Sequence, residues 1–296
     1  MSELSDRTRR EFTQNDDIRD AGLTTPADII RYDDIVYGED PAWQSLDVYR
    51  PKNAEGQKLP VIVSVHGGGW VYGDKERYQF YCMNLAQRGF AVVNFTYRLA
   101  PEHKFPCNLE DTNGVFTWVL ENGEKFGFDT RYVFGVGDSA GGSALGLYAA
   151  MCTNPEYAAK YDFKLPDGFV PTAVALNCGV FHIGMREEGD EMLKGLMMEY
   201  LPGHGTEEEI HLMNVAEHIT KKYPPTFIMT CQGDFLKGHA GELADKLAKK
   251  EIPFIYRMYG DHKAPLTHVF HCDIMTKEAK LCNDEECNFF RTFVKE

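Results

Sequence analysis

From residue 60 onward, short apolar runs alternate with stretches of helical periodicity, and this alternation constrains the fold more than any other feature. Pro60–Val65 and Phe90–Tyr97 are continuous runs rich in β-branched residues, which suits strands covered on both faces. Tyr78–Gln87, which stops near Gly89, and Asn108–Glu121 carry helical spacing. Tyr132–Val136 reads as a strand and Gly141–Ala150 as a helix of small residues. Thr172–Cys178, Thr226–Cys231 and Phe254–Met258 read as further strands, Ala240–Lys249 and Asp273–Val294 as helices. Two strand-like pieces, Ile29–Val36 and Ser45–Tyr49, stand ahead of this series, after a charged, mildly helical start. Strands alternating with helices make βαβ units, so the expected class is α/β. The sheet is mostly parallel, with helices on both faces and right-handed crossovers. Ligands of such sheets bind beyond the C-terminal ends of the strands.

Residues 181–222 interrupt the alternation. They are longer than a crossover requires and carry five methionines, at 185, 192, 197, 198 and 213, with many acids. They read as an insertion above the sheet, either two short helices packed on the body or an adaptable apolar lid. At 296 residues the chain is long enough to bury a sizeable core without disulfide or metal staples. The formal net charge of −14 argues against nucleic-acid binding and against docking on anionic lipid. No apolar run approaches the length of a membrane span, and the polar N-terminus lacks a signal-peptide core. The expected location is the cytoplasm. The eight cysteines are scattered, with no Cys-x-x-Cys pair, and are expected as free thiols. Cys282 and Cys287 with His268, His271 and Cys272 form the one cluster worth testing for metal, and their spacing fits no zinc template well. Neither metal nor cofactor is expected.

Gly137-Asp138-Ser139-Ala140-Gly141 matches G-x-S-x-G. It follows a strand and opens a helix, the setting in which a serine nucleophile projects from a sharp turn with tiny neighbours. His66-Gly67-Gly68-Gly69-Trp70 directly follows the strand Pro60–Val65. Glycines there let backbone N–H groups approach a developing oxyanion. Gly68, Gly69 and Ala140 are the best donor candidates and Gly67 a weaker one. His66 reads as a brace for the loop rather than a base. A base and its orienting acid should follow in the order Ser, Asp or Glu, His. Asp234 follows the strand Thr226–Cys231, where a turn aspartate is the plainer reading. Three histidines follow Phe254–Met258, namely His262, His268 and His271, and spacing alone does not separate them.

The sequence resembles the hormone-sensitive-lipase-like family of α/β-hydrolases. The resemblance rests on His66-Gly67-Gly68-Gly69, on Tyr97-Arg98-Leu99-Ala100-Pro101-Glu102-His103 with Phe105-Pro106, and on Gly137-Asp138-Ser139-Ala140-Gly141-Gly142. It runs from His66 to Phe270. It implies an α/β-hydrolase sheet in a single domain over 1–296, with a helical cap from about 1–40 and 181–222. It selects His268 through His268-Val269-Phe270, with His262 as the minor candidate, and Asp234 through its turn before Leu236. Two departures stand out: Lys237-Gly238-His239 follows where the family usually has an acid, and Val269 stands where it usually has glycine. Glu102, His103, Asp111 and Asp138 are expected to brace the site.

The implied activity is that of a serine carboxylesterase acting on short acyl esters, acetyl included, through an acyl-enzyme. The implied partner is a small-molecule ester. An amide hydrolase of arylformamidase type on the same triad is the alternative. A non-catalytic receptor of the gibberellin-receptor kind would require the histidine to be lost. An exposed edge strand near the C-terminus could pair two subunits. The acids of the insertion should disfavour anionic substrates.

Overall fold

A computed structural model describes residues 2–182, 191–261, 263 and 266–295. The strands are β1 (Ile29–Val36), β2 (Ser45–Pro51), β3 (Leu59–Val65), β4 (Ala91–Phe95), β5 (Phe128–Asp138), β6 (Ala173–Asn177), β7 (Thr226–Cys231) and β8 (Phe254–Tyr259). They form one sheet in the order β1-β2-β4-β3-β5-β6-β7-β8. From β4 to β8 every pairing is parallel, whereas β1–β2 and β2–β4 are antiparallel. The first two strands are joined without a helix, so no crossover forces them parallel.

The larger helices are α1 (Glu3–Arg19), α2 (Lys75–Ala86) and α3 (Cys107–Glu121); a short α4 (Gly123–Phe126) precedes β5. Helix α5 (Ser139–Thr153) is followed by the short α6 (Pro155–Ala158). Between β6 and β7 lie α7 (Glu191–Tyr200), α8 (Glu207–Met213) and α9 (Val215–His218). The chain closes with α10 (Lys237–Lys249) and α11 (Lys277–Arg291).

The period-two rule of a strand explains the two cores. On β3, Val61, Val63 and Val65 face a core shared with α3, α5 and α10. Ile62 faces the opposite core, which α2 and α11 complete. The last helix starts at Lys277 rather than Asp273 because the Thr276 side chain accepts from the Ala279 N–H as its N-cap, and Phe270–Cys272 instead forms a single tight turn. Strand β8 is an outer edge of the sheet.

Helix α1 packs on the loops that follow β3 and β4. Arg9 donates to both carboxylate oxygens of Glu102 at 2.8 and 2.7 Å and to the carbonyls of Val71 and Ala100 at 2.8 and 2.9 Å. The N-terminal half of α1 meets α7, where Ser2 hydrogen-bonds Glu199. Its C-terminal half meets α2, where Asp17 pairs with Arg77 and Arg19 donates to the Arg77 carbonyl at 2.6 Å. Of the five methionines in 181–222, Met197 and Met213 are buried in the core, and Met192 packs at its edge. Met185 lies outside the described residues, as do the acids Glu187, Glu188 and Asp190. Among the described residues no helix is long and apolar enough to cross a membrane.

Candidate active site

Ser139 is the first residue of α5, immediately after β5, and its φ is +51°. Non-glycine residues adopt that region at a cost, which the surrounding structure must hold in place. The packing around the turn is tight enough to do so. A Cβ on Gly141 would lie 2.1 Å from the Val65 carbonyl oxygen, so only glycine lets α5 start this close to β3. Opening a helix, the turn leaves its first N–H groups without intrahelical partners and aims a positive helix end at the serine.

The three residues that the sequence reading singled out meet here. The Ser139 hydroxyl donates to His268 Nε2 at 3.0 Å, and His268 Nδ1–H donates to Asp234 Oδ1 at 2.8 Å. Asp234 is buried at the end of β7. Its other oxygen accepts from the Thr230 hydroxyl at 2.7 Å, and Oδ1 also accepts from the Leu236 N–H at 2.9 Å. Burial pushes its carboxyl up, but the hydrogen bonds from His268, Leu236 and Thr230 more than offset this and leave it below the ordinary value. His268 reaches the site from a segment tied to β7. The Gly233 N–H donates to the Leu266 carbonyl at 2.9 Å, and the Cys231 thiol donates to the carbonyls of Leu266 and Thr267 at 3.3 and 3.1 Å. His262 lies outside the described residues. His271 is buried on the far side of the turn, where burial pushes its imidazole down to about 3.

The glycine loop lies beside the serine. Gly68 has φ +126° and Gly69 +60°, and a Cβ on Gly68 would fall 2.0 Å from the Tyr72 carbonyl oxygen. The Gly68 carbonyl accepts from the N–H groups of Val71 and Tyr72, which turns the loop back on itself. Among the described residues the N–H groups of Gly68 and Gly69 have no partner within the chain. The Gly67 N–H does, donating to the Tyr78 hydroxyl at 3.0 Å, so Gly67 is the poorer donor for a ligand. His66 stacks on Tyr97 at 4.0 Å, and its Nδ1–H donates to the Gly67 carbonyl at 2.8 Å. Burial pushes its imidazole down to about 4, so it braces the loop as a neutral group.

Asp138 does not cap α5 with its side chain. It accepts instead from the Tyr78 hydroxyl at 2.8 Å, and through that hydroxyl it reaches the Gly67 N–H. Burial pushes the Asp138 carboxyl up to about 6. Arg98 grips Asp111 through its side chain and its own N–H, and His103 packs edge-on against Trp43. Glu102, His103 and Asp111 do not line the cavity, whereas Asp138 does.

Ser139 and His268 lie in a cavity of about 490 Å³. Helix α1 contributes Phe12, Asn15, Asp16 and Arg19 to its walls, α7 contributes Met192, Leu193 and Leu196, and Phe235 stands beside His268. Sequence reasoning missed the α1 residues, Tyr78, Thr230 and Phe235. Only Phe12, Asn15, Asp16 and Arg19 carried a readable signal, an i, i+3, i+4, i+7 face in the charged N-terminal segment. Among the described residues two groups bring three metal-capable atoms together, Asp138 with His271 and Cys272, and Cys178 with Asp234 and His268. In the second, His268 is the hydrogen-bond partner of Ser139 and Asp234 that of His268. Cys282 and Cys287 belong to neither group.

Comparison with known proteins finds esterases similar to this chain in sequence and fold. A family profile described as BD-FAE matches residues 46–238. The chain is 35% identical over 135 residues to Esterase LipC of Mycobacterium tuberculosis, a match spanning 45% of this chain and 32% of that protein. It is 28% identical over 253 residues to the versiconal hemiacetal acetate esterase of Dothistroma septosporum, covering 79% of this chain and 73% of that protein. The fold superposes on phosphonate-related and free structures of Esterase B from Lactobacillus rhamnosis. The inhibited form gives a TM-score of 0.88 and 25% identity, with 99% of this chain and 97% of that chain covered. The profile spans more than half of the sequence, and the chain belongs to the BD-FAE family and to the hormone-sensitive-lipase-like α/β-hydrolases.

Proposed function

We propose that the chain is a serine carboxylesterase hydrolysing short acyl esters, acetyl esters included, through an acyl-enzyme. The observation that carries this reading is the Ser139–His268–Asp234 chain of hydrogen bonds, at 3.0 and 2.8 Å, opening into a cavity beside the glycine loop. In this reading His268 takes the Ser139 proton as Oγ attacks the ester carbonyl. Asp234 fixes the imidazole tautomer and stabilises the imidazolium. The N–H groups of Gly68, Gly69 and Ala140 receive the oxyanion, and each such donor contributes about 10²–10³ in rate. The alcohol leaves with the proton from His268, and water then releases the acid. Residues of about 1–40 and 181–222 act as a cap, an assignment supported by α1 and α7 both lining the cavity. Short chains are favoured because both helices wall the cavity that holds the serine, and the acetate ester named for one relative points the same way.

The test is a series of nitrophenyl esters from two to twelve carbons. Specificity is expected to peak between two and six carbons and to vanish in Ser139→Ala. A peak at twelve carbons would overturn the chain-length assignment, and wild-type turnover by Ser139→Ala would overturn the mechanism.

A further inference from the structure

We infer that Phe235 forms the alcohol side of the site and selects esters of aromatic alcohols. The inference rests on the hydrolytic reading above. The imidazole that takes the serine proton returns it to the departing alcohol, so that alcohol must leave beside His268 Nε2. Whatever flanks the imidazole therefore touches the alcohol moiety. Phe235 does so: its ring centroid lies 4.6 Å from that of His268, with the planes inclined at 49°, and it lines the same cavity.

The ring is held there. Asp234 before it is buried and anchored by Thr230 and by the Leu236 N–H. Leu236 after it is buried in the core. With both neighbours fixed, the backbone of Phe235 is held beside the imidazole, and its side chain is 51% exposed. A large apolar ring left half in water beside the reacting centre offers an unoccupied face. Elsewhere the lining is mixed, with the rings of Phe12 and Tyr72 among the residues around the glycine loop. Helix α7 adds Met192, Leu193 and Leu196, and Leu196 packs so close to Gly69 that an added Cβ there would meet it at 2.8 Å. Among the rings of this lining, Phe235 is the one in contact with the imidazole of His268.

Aromatic pairs in offset or edge geometry gain enough beyond area burial to give roughly a three- to tenfold preference. The experiment compares kcat/KM for benzyl acetate and cyclohexylmethyl acetate, alcohols of similar size and reach that differ in the ring. The native chain is expected to prefer the benzyl ester roughly three- to tenfold. Phe235→Leu, which keeps apolar bulk, should bring the ratio near one, with the pH profile on the cyclohexylmethyl ester unshifted. Phe235→Trp should keep the preference. A native ratio retained in Phe235→Leu, or no preference in the native chain, would overturn the assignment while leaving ester hydrolysis in place. No turnover of either ester by the native chain would overturn the hydrolytic reading and the assignment with it.

Discussion

Tyr78 couples the nucleophile turn to the glycine loop through one oxygen. Its hydroxyl donates to Asp138 at 2.8 Å and accepts from the Gly67 N–H at 3.0 Å, with all three groups out of water. Removing that oxygen leaves a buried carboxyl and a buried N–H without partners, at a cost of about 1–3 kcal/mol. Tyr78→Phe is therefore expected to lower the unfolding free energy by that amount. It should also lower kcat on a nitrophenyl acetate more than it raises KM, because the loop orders the N–H groups that act on the transition state. Denaturant titration and steady-state kinetics read the two effects. Unchanged kcat with unchanged stability would dismiss the coupling. Nothing in the sequence singled out Tyr78: a tyrosine on a helix face reads as core, and its partner is 60 residues away.

Among the elements, α11 is docked by a charge that the fold suppresses. Glu286 is wholly buried, accepts from the Asn177 side-chain amide at 2.6 Å and from the Tyr81 hydroxyl at 3.2 Å, and so joins α11 to β6 and α2. Burial is the main cause that pushes its carboxyl from 4.5 up to about 7. The sign follows directly. Between pH 4.5 and 7 the unfolded chain has released this proton while the folded chain keeps it, so stability falls as pH rises, by about 3 kcal/mol over the window. Glu286→Gln removes the ionisation and lets the otherwise unpartnered Asn177 Oδ1 accept from the new amide after a flip. Thermal unfolding from pH 4 to 8 should show the variant nearly level with the native chain at pH 4.5 and more stable at pH 8. Parallel pH curves for the two proteins would refute this.

The elements also show where the sequence was legible. Strands β3 to β7 and their helices were readable because burial on both faces leaves continuous apolar runs between amphipathic stretches. The serine turn was readable because its glycines are forced by backbone contact, as at Gly141 beneath Val65. The histidine was not separable by spacing. What holds His268 in place is tertiary, the Gly233–Leu266 bond and the Cys231 thiol, and no local pattern encodes either. The α1 face of Phe12, Asn15, Asp16 and Arg19 was readable as a helical stripe, but where it docks was not: α1 is held at the site by contacts such as Arg9 with Glu102, 93 residues apart.

At the scale of the molecule, one eight-stranded sheet carries the serine at the end of β5, the acid at the end of β7 and the histidine just past β8. The C-terminal ends of β5, β7 and β8, with β6 between the first two, thus lead to one point, as the position of ligand sites in parallel sheets requires. The net charge of −14 bears on solubility and on which substrates approach, not on this convergence. The most direct measurement is covalent. A fluorophosphonate ester is incubated with the folded chain, and the intact mass and the modified peptide are read. One adduct is expected, on Ser139, forming fast in the native chain, absent in Ser139→Ala, and slowed by about 10³-fold or more in His268→Ala. An adduct on another residue, or equal labelling in Ser139→Ala, would contradict the account.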